Sequence, residues 1–129
     1  MRNSGIELAE RLRKRQFDRM VRKAVDSLPP VIHSMMENVE IVVEDEPTEE
    51  QRNGAEDGPF GLYEGIPLTE RTSSYRLILP DKISIFRGPL ERATATPSEL
   101  YAEVQATVIH EVAHHFGMDE AQIADLGYE

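Results

Sequence analysis

The chain contains no cysteine. Neither a disulfide framework nor a thiolate metal site can form, so any bound metal must be held by histidine and carboxylate. No stretch approaches the roughly 18 consecutive apolar residues of a membrane span. The first residues, MRNSGIELAERLRKRQ, lack the continuous apolar run of a secretory signal. The expectation is a cytoplasmic protein that does not enter a membrane. Positive charge is also scarce: 14 Lys and Arg stand against 24 Asp and Glu, a net charge of −10. Most of such a surface repels phosphates, so no nucleic-acid partner is expected.

What remains is an ordinary globular composition, 40% hydrophobic and 29% charged over 129 residues. It reads as a single domain, 1–129, with neither internal repeats nor a linker. The charge is uneven. Residues 1–28 hold eight Arg and Lys against four acids, and the other 101 residues hold six against twenty. A basic arm for an acidic partner would look like this, and so would a helix with a solvated basic face lying on an acidic body. The apolar stripe Phe17, Met20, Val21, Ala24, Val25 and Leu28 favours the helix, over 14–28, with Pro29 and Pro30 stopping it. Residues 1–13 do not hold this phase and are expected to fray or be disordered.

VEIVVED, 39–45, is short and β-branched, which predicts a strand. Residues 45–59, DEPTEEQRNGAEDGP, have almost nothing to bury and predict a flexible acidic loop. A short strand is expected at Leu62–Tyr63. SYRLILP (74–80) and DKISIFRG (81–88) follow as two strands joined by a turn at Pro80-Asp81.

The last helix has the strongest signals. Thr96 stands at the N-cap, Pro97 at the first helical position and Glu99 three residues after the cap, the arrangement of a capping box. Leu100, Val104, Val108 and Val112 recur every four residues and should face the core. Gly117 ends the helix by taking a left-handed conformation. Its last turns carry VIHEVAHHFGMDE, 108–120, with three of the four histidines inside six positions.

His110 and His114 lie four apart, about 40° around a helix. Both imidazoles project from one face, one turn apart, and can reach a single ion at about 2.0–2.1 Å. Glu111 follows the first histidine, about 100° round. It cannot share their ligand direction, but its carboxylate can hang beside the ion and take a proton from an activated water. The bland alternative is a pair of helix-end histidines favoured by the macrodipole. The Glu between them and the Gly after them argue for the metal site.

A third ligand must come from beyond Gly117. In the pattern HExxHxxGxxH it lies ten residues after the first histidine, where this chain has Glu120 in HEVAHHFGMDE. Asp119, one residue earlier, competes with it. His115 points away from the pair and reads as a partly exposed packing or groove-lining residue, and Phe116 as core. Met118 has no counterpart to a downstream Met-turn.

The stretches AVDSLPP, ENVEIVVEDEP, GLYEGIPLTER, LPDKISIFRGPLER and VIHEVAHHFGMDE, spread from about Phe17 to Tyr128, resemble the minimal zincin-like metallopeptidase family of short bacterial proteins. The resemblance implies an α+β fold, with a small mixed or antiparallel sheet packed on an N-terminal helix and the HExxH helix. It implies one zinc ion with His110 and His114 as ligands, Glu111 as general base and an acidic third ligand, carried over here to Glu120. Members often show Ser-Asp-Glu after the turn where this chain has Met118-Asp119-Glu120, so the match is one of kind rather than identity. Zincins bind a peptide or protein substrate by adding it as a strand to a sheet edge, and DKISIFRG, 81–88, is the expected edge, with an internal strand as the alternative that its alternating pattern does not exclude. The activity implied is hydrolysis of peptide bonds by metal-activated water. None of the tyrosines is placed by the sequence to stabilise an oxyanion. Two other classes compete. One is a zinc-binding module or adaptor without turnover, contacting a protein partner through the acidic loop or the basic helix. The other is a metal-dependent ribonuclease of HxxxHxxxxxH spacing, which the net charge and Glu111 both oppose.

Overall fold

A computed structural model describes residues 4–65 and 80–127. Helix α1 (Ser4–Asp26) is followed by α2 (Pro30–Met35), β1 (Val39–Glu44), α3 (Glu49–Arg52) and β2 (Gly61–Glu64). Then come β3 (Asp81–Phe86), α4 (Arg87–Ala93), α5 (Pro97–His115) and α6 (Glu120–Asp125). The expected strand at 74–80 lies outside the described residues, save for Pro80.

The three strands form a mixed sheet of order β1-β3-β2. β1 runs parallel to β3 from Val39 opposite Asp81 to Glu44 opposite Phe86. β2 runs antiparallel to it, with Gly61 opposite Ile85 and Tyr63 opposite Ile83. One sequence expectation is corrected here. DKISIFRG is expected as an edge that receives a substrate strand, but its strand part is the central strand, paired on both sides, and Arg87 and Gly88 begin α4. Its backbone groups are already spent on the ladder and cannot accept another chain. The reason is burial on both faces. Ile83 and Ile85 enter the core, while Ser84, equally buried, is satisfied by donating to Glu44 Oε1 at 2.8 Å.

The core joins Phe17, Val21, Ala24 and Leu28 to Ile83, Ile85, Val104, Val108, Ile109 and Val112, all buried. The stripe of 14–28 thus packs inward as its period predicts. Gln105 of α5 adds a polar tie, donating to the Ala24 carbonyl of α1 at 3.0 Å. α1 and the sheet therefore fix α5 along its length.

Two further expectations are corrected. Residues 4–13 are helical, not frayed: Glu7 precedes Arg11 by four, and Glu10 precedes Lys14 by four, the order that supports an isolated helix. What ends before residue 14 is packing, since Ile6, Leu8 and Leu12 are exposed. The acidic segment 45–59 is likewise anchored. Thr48 and Gln51 form a reciprocal capping box on α3. Asp45 accepts from Lys14 at 2.9 Å and from Arg87 at 3.1 Å, and Glu46 accepts from both terminal nitrogens of Arg92.

The Lys14 hydrogen bond holds the Asp45 carboxyl below its ordinary range, with Arg87 adding to it against some desolvation. Arg92 does the same for Glu46. A depressed carboxyl stabilises the fold above its unfolded value, near 4, and that stability is lost as pH falls through the lower folded value. Since Asp45 is half-exposed, the contribution of its pair with Lys14 is under about 1 kcal/mol. Lys14→Ala should therefore cost a small part of the neutral-pH stability and flatten the loss below about pH 4, as followed by thermal melts from pH 7 to 2.5.

Candidate metal centre

α5 stops as its sequence predicts and starts at the predicted Thr96 cap, but the expected capping box is not closed. Thr96 accepts from the Glu99 N–H at 3.1 Å, while the Glu99 carboxylate reaches one residue further back, to the Ala95 N–H at 2.7 Å. At the other end Gly117 has φ +77. Its N–H donates to the His114 carbonyl at 3.1 Å and the Met118 N–H to the Ala113 carbonyl at 2.8 Å. Those two bonds are a Schellman closure, which turns the chain back over the last turn of the helix. α6 begins three residues later.

This turn decides which acid faces the histidines. Asp119 caps α6: its carboxylate accepts from the Gln122 N–H at 2.9 Å, and Gln122 Oε1 accepts from the Asp119 N–H at 2.9 Å. Its side chain is thereby committed to the helix. Glu120, in the first turn of α6, lies with Oε1 3.1 Å from His114 Nε2 and Oε2 3.7 Å from His110 Nε2. The structure brings Glu120, and not Asp119, to the histidine pair.

His110 is further oriented by its own helix. Nδ1 lies 2.8 Å from the Ala106 carbonyl, which can only accept, so Nδ1 carries a proton and Nε2 is the ring nitrogen on the Glu120 side. Metal-binding histidines are commonly set by such a bond. The two imidazoles stand 5.9 Å apart between ring centres, inclined at 62°.

Among the described residues, no group of three or more His, Cys, Asp or Glu is already gathered as a metal cluster. The contacts are pairwise about the Glu120 carboxylate. Two ligands about 2.0–2.1 Å from one tetrahedral ion stand roughly 3.3–3.4 Å apart, between the two N–O separations found here. Glu120 is 71% exposed and His114 53%, so both can adjust without disturbing the core. The donor set of two imidazoles and one carboxylate fits zinc.

Glu111 is on the adjoining face and does not join this set. Its Oε1 accepts from the Tyr63 N–H of β2 at 2.8 Å. Beside Glu111 and His110 lies an open cleft of about 290 Å³, bordered by Phe60 and Gly61 on one side and Glu103 and Thr107 on the other. A second groove, between α1 and the start of α5 at Phe17, Met20 and Leu100, is bordered by Arg13 and Glu91 and holds no histidine.

His115 stacks on the Tyr63 ring at 3.8 Å and 14°, and its Nε2 lies 3.9 Å from Asp81 Oδ2. Phe116 is 52% exposed, which corrects its expected place in the core. It follows Val112 by four but stands at the C-cap, where the turn carries it off the buried face. Tyr63 and Asp81 are the two residues of this region that sequence reasoning missed. No local signal marks them, because Tyr63 meets Glu111 across 48 positions.

Gly117→Ala tests how far the turn places Glu120. A Cβ there meets nothing within 4 Å, so the whole cost is conformational, about 1–2 kcal/mol. The expected outcome is a lower melting temperature together with weaker zinc binding. Equal zinc affinity would mean that Glu120 does not depend on the turn.

Comparison with solved structures gives a conserved hypothetical protein from Thermo thermophilus. It is 20% identical, the match covers 80% of this chain and 92% of that one, and the TM-score is 0.54, a likeness of fold. No match was found among curated proteins. A family model for zincin-like metallopeptidases matches residues 36–128, which takes in every strand, α5 and α6 and leaves AVDSLPP outside. The chain belongs to the zincin-like metallopeptidase family.

Proposed function

We propose that the chain is a zinc-dependent hydrolase of peptide bonds, with His110, His114 and Glu120 holding one ion and Glu111 acting as general base. The observation that carries this reading is the division of labour on α5. One face turns both Nε2 atoms toward the Glu120 carboxylate, and the adjoining face holds a carboxylate beside an open cleft.

When bound, the ion supplies Lewis acidity, which polarises a carbonyl and brings the pKa of water toward about 7. The chain's residues do the rest. His110, its Nδ1 proton held by the Ala106 carbonyl, offers Nε2 as the ligand atom. Glu111 has one oxygen tied to Tyr63, which leaves Oε2 to take the proton of the attacking water and give it to the leaving amine. In this reading the cleft beside Phe60 and Gly61 receives the substrate. Strand addition at 81–88 has no place in this proposal, since β3 is paired on both sides.

A second reading, a zinc-binding module without turnover, draws on the exposure of His114 and Glu120, since so open a site excludes little water. Incubating the zinc-loaded chain with a mixed peptide pool, and following new termini by mass spectrometry, separates the two. Zinc-dependent cleavage supports the hydrolase. One zinc per chain without cleavage supports the module.

A further inference from the structure

α5 carries two rows of side chains at i, i+4 spacing, about 100° apart around the helix. His110 and His114 face Glu120. Glu111 and His115 face β2, and both meet the same residue, Tyr63. We propose that His115 and Tyr63 form a clamp that positions the general base, fixing Glu111 Oε1 on the Tyr63 N–H and leaving Oε2 as the oxygen that carries the proton. The catalytic part of this inference rests on the hydrolase reading; the clamp itself does not.

Among the described residues, Tyr63 is held through its backbone, its ring and its hydroxyl. Its N–H donates to Glu111 Oε1 at 2.8 Å, its ring lies flat on His115 at 3.8 Å, and its hydroxyl donates to Asp81 Oδ2 of β3 at 2.7 Å. Backbone, ring and hydroxyl thus tie to three residues on two elements, which leaves β2 little freedom to slide along α5. Gly61 makes the approach possible. A Cβ there would lie 2.6 Å from Thr107 Cγ2 and 2.9 Å from the Ser84 carbonyl, so β2 comes closer to α5 than a side chain would permit.

The consequence for Glu111 is orientational. Its terminal torsion is soft, so a carboxylate on an exposed helix face samples many directions. One backbone hydrogen bond to Oε1 removes that freedom and aims the other oxygen, and misplacement of such a group by 1 Å can lower the rate about 100-fold. β2 has only four residues, and a strand that short stays in place by its side-chain contacts as much as by its ladder. The His115 stack is the contact that reaches α5 nearest to Glu111, making His115 a positioning residue.

The test uses the full zinc-loaded chain with His115→Ala and His115→Phe. Phe keeps a flat ring for Tyr63 and discards the imidazole nitrogens. Two readouts are followed: hydrogen exchange of the Tyr63 amide by NMR, and kcat and KM on a peptide the wild type cleaves. With Ala, the amide is expected to exchange at least about tenfold faster and kcat to fall about tenfold or more, with KM and zinc content unchanged. With Phe, both should return to within about threefold of the wild type. Unchanged exchange or unchanged kcat in His115→Ala overturns the proposal, as does failure of Phe to restore them. If the wild type shows no turnover while the amide behaves as described, the hydrolase reading fails and the clamp survives as structure. If turnover is present and the amide ignores His115, the clamp fails alone.

Discussion

Glu111→Gln is expected to lower peptide hydrolysis by about 10²- to 10⁴-fold while the chain keeps its zinc. The substitution changes very little else. Gln has the same length, and its amide oxygen can still accept from the Tyr63 N–H that Glu111 Oε1 accepts from at 2.8 Å. What disappears is the second oxygen's ability to hold a proton. The pairing of His110 and His114 with Glu120 lies on the other row of α5 and is not touched. The check is kcat beside zinc per chain, on the same preparation. Lost turnover with retained zinc assigns proton transfer to Glu111. Retained turnover would place the base elsewhere, and no other carboxylate on α5 is so close to the histidine pair.

The second large effect concerns Glu120 and Asp119, neighbours with opposite expected outcomes. Glu120→Ala removes one of three proposed ligands and is expected to weaken zinc at least about 100-fold, the upper end of what loss of a mere supporting group costs. Binding to the folded state stabilises it by mass action, about 2.7 kcal/mol at a hundredfold excess over Kd. That shifts the melting temperature of a domain this size by roughly 10 °C. Glu120→Ala should lose that shift and change little in the metal-free protein, because its side chain is mostly exposed. Asp119→Ala should do the reverse. It deletes the cap of α6, lowering metal-free stability by about 1 kcal/mol, and keeps most of the zinc-induced shift. Thermal melts of both variants with and without zinc decide the matter. If Asp119→Ala abolishes the zinc shift and Glu120→Ala does not, the third ligand has been misassigned.

The parts of the molecule that could be read from the sequence are those governed by near neighbours. α5 was legible at both ends because a cap, a proline and a glycine act within one turn, and its core face because Val104, Val108 and Val112 repeat with the helix. The same local logic was available for α3 and α6. Thr48 with Gln51, and Asp119 with Gln122, are both capping boxes written three residues apart. The second of these removes Asp119 from competition with Glu120. The acidity of 45–59 hid the first, and its anchors, Lys14, Arg87 and Arg92, come from 31 to 46 positions away.

What could not be read depends on partners distant in the chain. DKISIF alternates as a half-buried edge strand does, yet it is central. Ser84 mimics a solvent-facing position because the group that satisfies it, Glu44, is 40 residues upstream. Tyr63 is one tyrosine among four until β2 is laid against α5. The bare Cα of Gly61, which permits that approach, looks in sequence like any loop glycine. Phe116 keeps the helical period in sequence but falls just past the helix's last residue.

The central claim is that one zinc ion is held by His110, His114 and Glu120, and its most direct test is zinc per chain by elemental analysis. The wild type and His114→Ala are purified without chelator or affinity-column metal, then equilibrated with a small excess of zinc and desalted. Near one zinc per chain in the wild type, and almost none in His114→Ala, is the predicted result. A wild type that retains no zinc, or a variant that retains as much as the wild type, would contradict it.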